Sequence, residues 1–156
     1  MSAFGENDLI NIKNRYAGYW KLAEASKGRV VVHMGTCGVA AGAEDVYRAL
    51  KELLGRHAGL DIELKTTGCA GLCGNEPMIT VELRGYKPVK YAGLTAEAAR
   101  QIFEEHVLGG APVEKYVLCQ GNEAVVAEET PGQPGRAYDG IPMLGDYGFF
   151  KDQRLI

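Results

Sequence analysis

The sequence predicts an α/β domain built on a mixed sheet flanked by helices. Three observations carry this. A β-branched apolar run, "GRVVVH", ends in a glycine-rich turn. It is followed by an amphipathic helical pattern and a second alternating run, "LDIELKTT". A hairpin pattern and one more helix then follow. The order β–α–β–β–β–α needs a sheet with helices on its faces to bury its apolar residues.

Each element has its own signal. Over 7–26, Leu9, Ile10, Ile12, Tyr16, Tyr19, Trp20, Leu22 and Ala23 recur at spacings of three and four, the mark of an amphipathic helix. Asn7 or Asp8 would cap it, and Gly28 would stop it. The first strand covers about 29–33. Val46, Ala49, Leu50, Leu53 and Leu54 define the next helix, closed at Gly55 or Gly59. Leu60, Ile62 and Leu64 alternate as a second strand, whose crossover from the first is right-handed if the two are parallel. Ile79, Val81 and Leu83, a turn at Arg84-Gly85, then Val89 and Tyr91 make the hairpin. The last helix starts at Thr95 as N-cap and ends at Gly109-Gly110. "APVEKYVL" reads as one more extended segment. The Gly-, Pro- and acid-rich remainder reads as a tail or linker draped over something else. This divides the chain into a helix at 1–28, a domain at 29–118 and a tail at 119–156.

Composition narrows the function. The 156 residues carry a net charge of −3, which leaves no basic field for nucleic acid or anionic lipid. No apolar run reaches the 18 residues of a membrane span, and the N-terminus lacks the pattern of a signal peptide. A cytoplasmic location is the expectation. In that setting four cysteines point to metal or redox chemistry before disulfides.

Cys69 and Cys73 stand as Cys-x3-Cys in "TGCAGLCGNEP", and Cys37 lies in "HMGTCG". Both segments are glycine-rich turns after strands. If the two strands are neighbours, the three cysteines converge at one edge of the sheet. Glycines 68, 71 and 74 bring backbone N–H groups toward the sulfurs, as iron–sulfur sites require. Competing readings are buried apolar cysteines, a redox dithiol, and structural zinc on His33, Cys37, Cys69 and Cys73. "GTCGVAAGA" lacks the ending of a phosphate loop. His57 and His106 read as solvated helix residues among charged neighbours.

"VVVHMGTCGVAAGAEDVYRAL" followed by "TTGCAGLCGNEPMITV" resembles the thioredoxin-like [2Fe–2S] ferredoxin family, over about residues 29–118. That family includes the 24 kDa subunit of complex I and the N-terminal domain of NADH-binding flavoprotein subunits of NAD-linked hydrogenases and formate dehydrogenases. The ending "GIPMLGDYGFFKDQRLI" is similar to the entry of a flavin-binding domain. The resemblance implies a thioredoxin-like fold, a [2Fe–2S] cluster, and one-electron transfer without catalysis by this chain alone. It also implies an NADH-binding flavoprotein subunit and other iron–sulfur subunits as partners, with FMN and NADH held only by a partner subunit or domain. The face bearing Trp20 offers a surface for self-association.

The sequence departs from the family at the first turn, where a Cys-x4-Cys pair is usual. Aligned on Gly35-Thr36, the first family cysteine falls on His33 and the second on Gly38, with Cys37 one place earlier. The candidate ligands are therefore Cys37, Cys69, Cys73 and His33. Cys119 is the other source of a fourth ligand. A scaffold without a cluster, serving the assembly of such a complex, is the contrasting reading.

Overall fold

A computed structural model describes Gly5 and residues 10–11, 27–121 and 135–147. The N-terminal helix expected over 7–26 lies outside the described residues, apart from Ile10 and Asn11, which are helical.

Among the described residues five strands form one sheet: β1 (Gly28–His33), β2 (Ile62–Thr67), β3 (Ile79–Leu83), β4 (Val89–Tyr91) and β5 (Val117–Gln120). Their order is β2-β1-β3-β4-β5. β1 and β2 run parallel, with Val30 opposite Leu64 and His33 opposite Thr67. The remaining pairs are antiparallel. Parallel neighbours end on the same side, so the turns after β1 and β2 come together.

Between β1 and β2 lie a short helix, α1 (Thr36–Ala40), and a longer one, α2 (Ala43–Arg56). α2 starts with Glu44 and Asp45 and ends with Arg56, charges that complement the helix dipole. It buries Val46, Ala49, Leu50 and Leu53, one stripe of its surface. α3 (Ala96–Ile102) is capped as expected: the Thr95 hydroxyl accepts from the Ala98 N–H at 3.2 Å. It runs on through a π-helical turn at Phe103–Leu108. Both helices pack with Val30, Val32, Ile79, Val81, Val89 and Tyr91 in the core. All six of these strand residues are inaccessible to solvent. Burying each aliphatic side chain contributes about 2 kcal/mol.

Side chains alternate along a strand. Arg29, Val31 and His33 therefore face away from Val30 and Val32. Their neighbours on that second face are Thr80, Glu82 and Lys90, all of them buried. Arg29 grips Glu82 through two hydrogen bonds of 2.8 and 3.0 Å. Such a bidentate pair satisfies the buried Glu82 carboxylate with a part-buried guanidinium.

Part of the C-terminal segment, expected as a tail or linker draped over something else, packs on the domain itself. β5 runs to Gln120, across the expected domain limit at 118. Cys119 is buried on it, opposite Lys90. Residues 135–147 return to the domain itself. The Gln120 side-chain amide donates to the carbonyls of Tyr138 and Ile141, and its oxygen accepts from the Tyr138 N–H. Arg136 exchanges backbone bonds with Gly85 and Lys87. Composition signalled a linker, but one buried glutamine supplies the backbone partners that the Gly- and Pro-rich segment lacks within itself.

His106 also departs from expectation. It is fully buried, and not solvated. Its Nδ1 lies 2.8 Å from the Tyr91 hydroxyl and its Nε2 2.8 Å from that of Tyr138. A neutral imidazole donates through one nitrogen and accepts through the other, so two tyrosines satisfy it. Burial lowers its pKa to about 4. His57 is exposed, as expected.

Candidate iron–sulfur site

The turns after β1 and β2 meet at Gly35 and Cys69. A Cβ built on Gly35 would lie 2.8 Å from the Cys69 Cβ, closer than side chains approach. Gly38 is equally confined, with the His33 carbonyl oxygen 2.4 Å from the Cβ position. Cys37 lies in the first turn of α1, and glycine at these two places lets the start of that helix fold onto β1 and press on the Cys69 turn.

Cys37, Cys69 and Cys73 are all exposed and free. The Cys69 and Cys73 sulfurs stand 3.5 Å apart. A tetrahedral metal with bonds of about 2.3 Å holds two thiolates roughly 3.8 Å apart. The pair therefore fits a single iron with little adjustment. The Gly71 N–H donates to the Cys69 sulfur at 3.2 Å, the kind of donor that stabilises a thiolate. Cys73 opens a 3₁₀ turn, Cys73–Asn75, held by bonds from Asn75 N–H to the Leu72 carbonyl and from Gly93 N–H to the Asn75 carbonyl.

His33 ends β1 and is buried, with Nε2 2.9 Å from the Thr80 hydroxyl. It lines a cleft of about 310 Å³ together with Thr67, Cys69, Thr80 and Lys90. The sheet thus brings His33 and Cys69 to one cleft. Among the described residues, no three His, Cys, Asp or Glu side chains are gathered around a point that one metal ion would occupy. The closed four-ligand arrangement of structural zinc is therefore not formed there. A binuclear cluster makes a different demand, because its four ligands divide between two irons. Cys119 is remote from solvent on β5 and stands outside the two cysteine turns.

Glu76 is a site residue that sequence reasoning passed over. Its Oε2 accepts from the Met78 N–H at 2.9 Å and lies 3.2 Å from the Cβ position of Gly38. Its Oε1 is buried without a hydrogen-bond partner. Burial pushes its carboxyl above the ordinary value, while the Met78 N–H pulls the other way. Only its place just before Pro77, after the cysteine turn, hinted at this.

Residues 10–106 match the thioredoxin-like [2Fe–2S] ferredoxin family. The chain belongs to that family. Its fold agrees: the chain superposes on the wild-type thioredoxin-like [2Fe–2S] ferredoxin of Aquifex aeolicus with a TM-score of 0.53. The identity is 26%, covering 60% of this chain and 98% of that one. Among proteins of known sequence, it is 30% identical over 97 residues to the NADP-reducing hydrogenase subunit HndB of Solidesulfovibrio fructosivorans. That match covers 62% of this chain and 77% of the relative. It is also 30% identical over 84 residues to a 2Fe-2S ferredoxin of Clostridium pasteurianum, covering 54% and 79%. Family membership makes the cofactor a [2Fe–2S] cluster and the activity electron transfer. Paired thiols, a backbone donor and a third cysteine on the adjoining helix α1 are a donor set that fits such a group. Among the described residues no helix is long and apolar enough to cross a membrane.

Proposed function

We propose that the chain is an electron-transfer subunit or domain of an NADH-linked oxidoreductase complex. Cys69 and Cys73 would hold one iron of its [2Fe–2S] cluster, and Cys37 and His33 the other. The observation that carries this reading is the Cys69–Cys73 pair, 3.5 Å apart on an exposed turn that packs against Gly35, at the start of the helix bearing Cys37. Thr80 orients the His33 ring, as outer partners orient metal-bound histidines. When bound, the cluster supplies one-electron oxidation and reduction without bond-making in the protein. The chain's own task is to hold the sulfurs, donate N–H groups to them and keep the site at a surface a partner can reach.

The likeness to a hydrogenase subunit supports membership of a complex. In it, FMN and NADH belong to a partner flavoprotein subunit, and further iron–sulfur subunits carry the electrons onward. A cytoplasmic location accords with this role. The domain so proposed starts after residue 28 and runs through β5 to Gln120, with 135–147 folded back on it, and the residues after that segment lead toward the flavoprotein.

Anaerobically purified protein is expected to be brown, with about two irons and two sulfides per chain and an EPR signal on reduction. NADH is expected to reduce it only when the flavoprotein partner is added. A colourless chain that takes up no iron on reconstitution would instead support the scaffold reading. His33→Cys is expected to keep the cluster and lower its midpoint, since imidazole ligation raises the potential. An unchanged potential in His33→Ala would remove histidine from the ligand set.

A further inference from the structure

Residues 135–147 form a strap with two ends. At its start, Arg136 pairs with the β3–β4 turn through Gly85 and Lys87. Along its middle it is gripped by Gln120 and by the hydroxyl of Tyr138 on buried His106. The Gln120 N–H adds a bond to the Pro142 carbonyl at 2.8 Å. At its far end, the Tyr147 hydroxyl accepts from the Asn75 side-chain amide at 3.3 Å. Asn75 closes the 3₁₀ turn that Cys73 opens. One segment therefore links the opposite hairpin, the helix α3 extension and the cysteine turn.

We propose that Tyr147 is a positioning residue for Cys73. The strap is fixed to rigid elements at its start and middle. Its last contact restrains the Asn75 side chain, and through the short turn it restrains the Cys73 backbone. Asn75 already spends its N–H and carbonyl on Leu72 and Gly93. Tyr147 ties down the side chain, which those backbone bonds do not hold. The cysteine turn is thus held from within, from the β4 exit and from the strap. A turn held on three sides keeps its thiolate and nearby N–H donors at fixed distance from the cluster, and those distances set the potential.

The potential arm of the test rests on the electron-transfer reading; the exchange arm does not. Hydrogen exchange is measured on the whole chain, with and without reconstituted iron and sulfide, for wild type, Tyr147→Phe and Tyr138→Phe. Tyr147→Phe is expected to speed amide exchange over 72–76 about five-fold, the effect of one ordinary hydrogen bond. Exchange at Val30–Val32 should not change, and the cluster midpoint should move. Tyr138→Phe should speed exchange across 135–147 and, more weakly, over 72–76. Unchanged exchange over 72–76 in Tyr147→Phe overturns the proposal. So does faster exchange with an unmoved midpoint, or an equal rise in β1, which marks general loosening. Faster exchange over 72–76 in a chain that binds no iron would support the strap while sinking the electron-transfer reading.

Discussion

Gly35 lies against Cys69, with only 2.8 Å between the Cβ of the cysteine and the place where a side chain on Gly35 would begin. The two cysteine segments are therefore fitted closely to each other. Gly35→Ala is expected to force them apart. Overpacking of this kind costs about 1–3 kcal/mol. The melting temperature should fall by several degrees, and iron incorporation should fall with it. A melting curve and an iron assay on the reconstituted variant check both. Wild-type iron content would show that the turns yield freely.

The thiols should divide cleanly by position. Cys69→Ser and Cys73→Ser are expected to abolish the visible absorption of the cluster, and Cys37→Ser to weaken or abolish it. Cys119→Ala should keep full iron content while losing about 1 kcal/mol of stability, because its side chain is buried on β5. Loss of iron from Cys119→Ala would mean the ligand set is drawn from the wrong turn.

Glu76 should make stability depend on pH in a definite direction. Its carboxyl is raised above 4.5, so the folded state favours the protonated form. Its contribution is fully present below that ordinary value and is lost as pH rises through the raised one. Glu76→Gln keeps the oxygen that accepts from Met78 and removes the charge. The variant should therefore gain on wild type in urea melts as pH increases from 4 toward 7. A difference that stays constant with pH would refute this.

His106 should act in the opposite sense. Its pKa falls from 6.5 to about 4 because burial disfavours the imidazolium. The unfolded chain takes up a proton below pH 6.5 that the folded chain refuses. Stability is thus lost between pH 6.5 and 4, by up to about 3 kcal/mol. Denaturation across that window should be steeper for wild type than for His106→Gln, which keeps a donor and an acceptor. Parallel curves for the two proteins would place the titration elsewhere.

Much of the fold was legible because it is local. A continuous β-branched run marked Val30 and Val32, period-two alternation marked Ile79 and Val81, and the spacing of Val46, Leu50 and Leu53 marked α2. Thr95 announced its helix by capping chemistry alone. The two cysteine turns were legible as well, since glycine and cysteine stand together after strands. The illegible parts depend on distant partners. His106 follows two acidic residues that are exposed, and nothing nearby signals tyrosines 15 residues before and 32 after it. Gln120 reads as an ordinary polar residue until 135–147 folds back on it. Thr80 meets His33 across 47 residues, through sheet register alone.

The strap also bears on how the molecule behaves in crowded solution. A sheet of five strands has two open rims, each able to recruit a stray strand from another chain. β2 guards one rim with Glu63 and Lys65, paired to each other at 3.3 Å. β5 has no such charges in Val117–Gln120. Its rim is closed instead where Met143 bridges Gln120. A chain cut before residue 135 would keep its cysteines but lose that bridge, and it should self-associate more readily through β5.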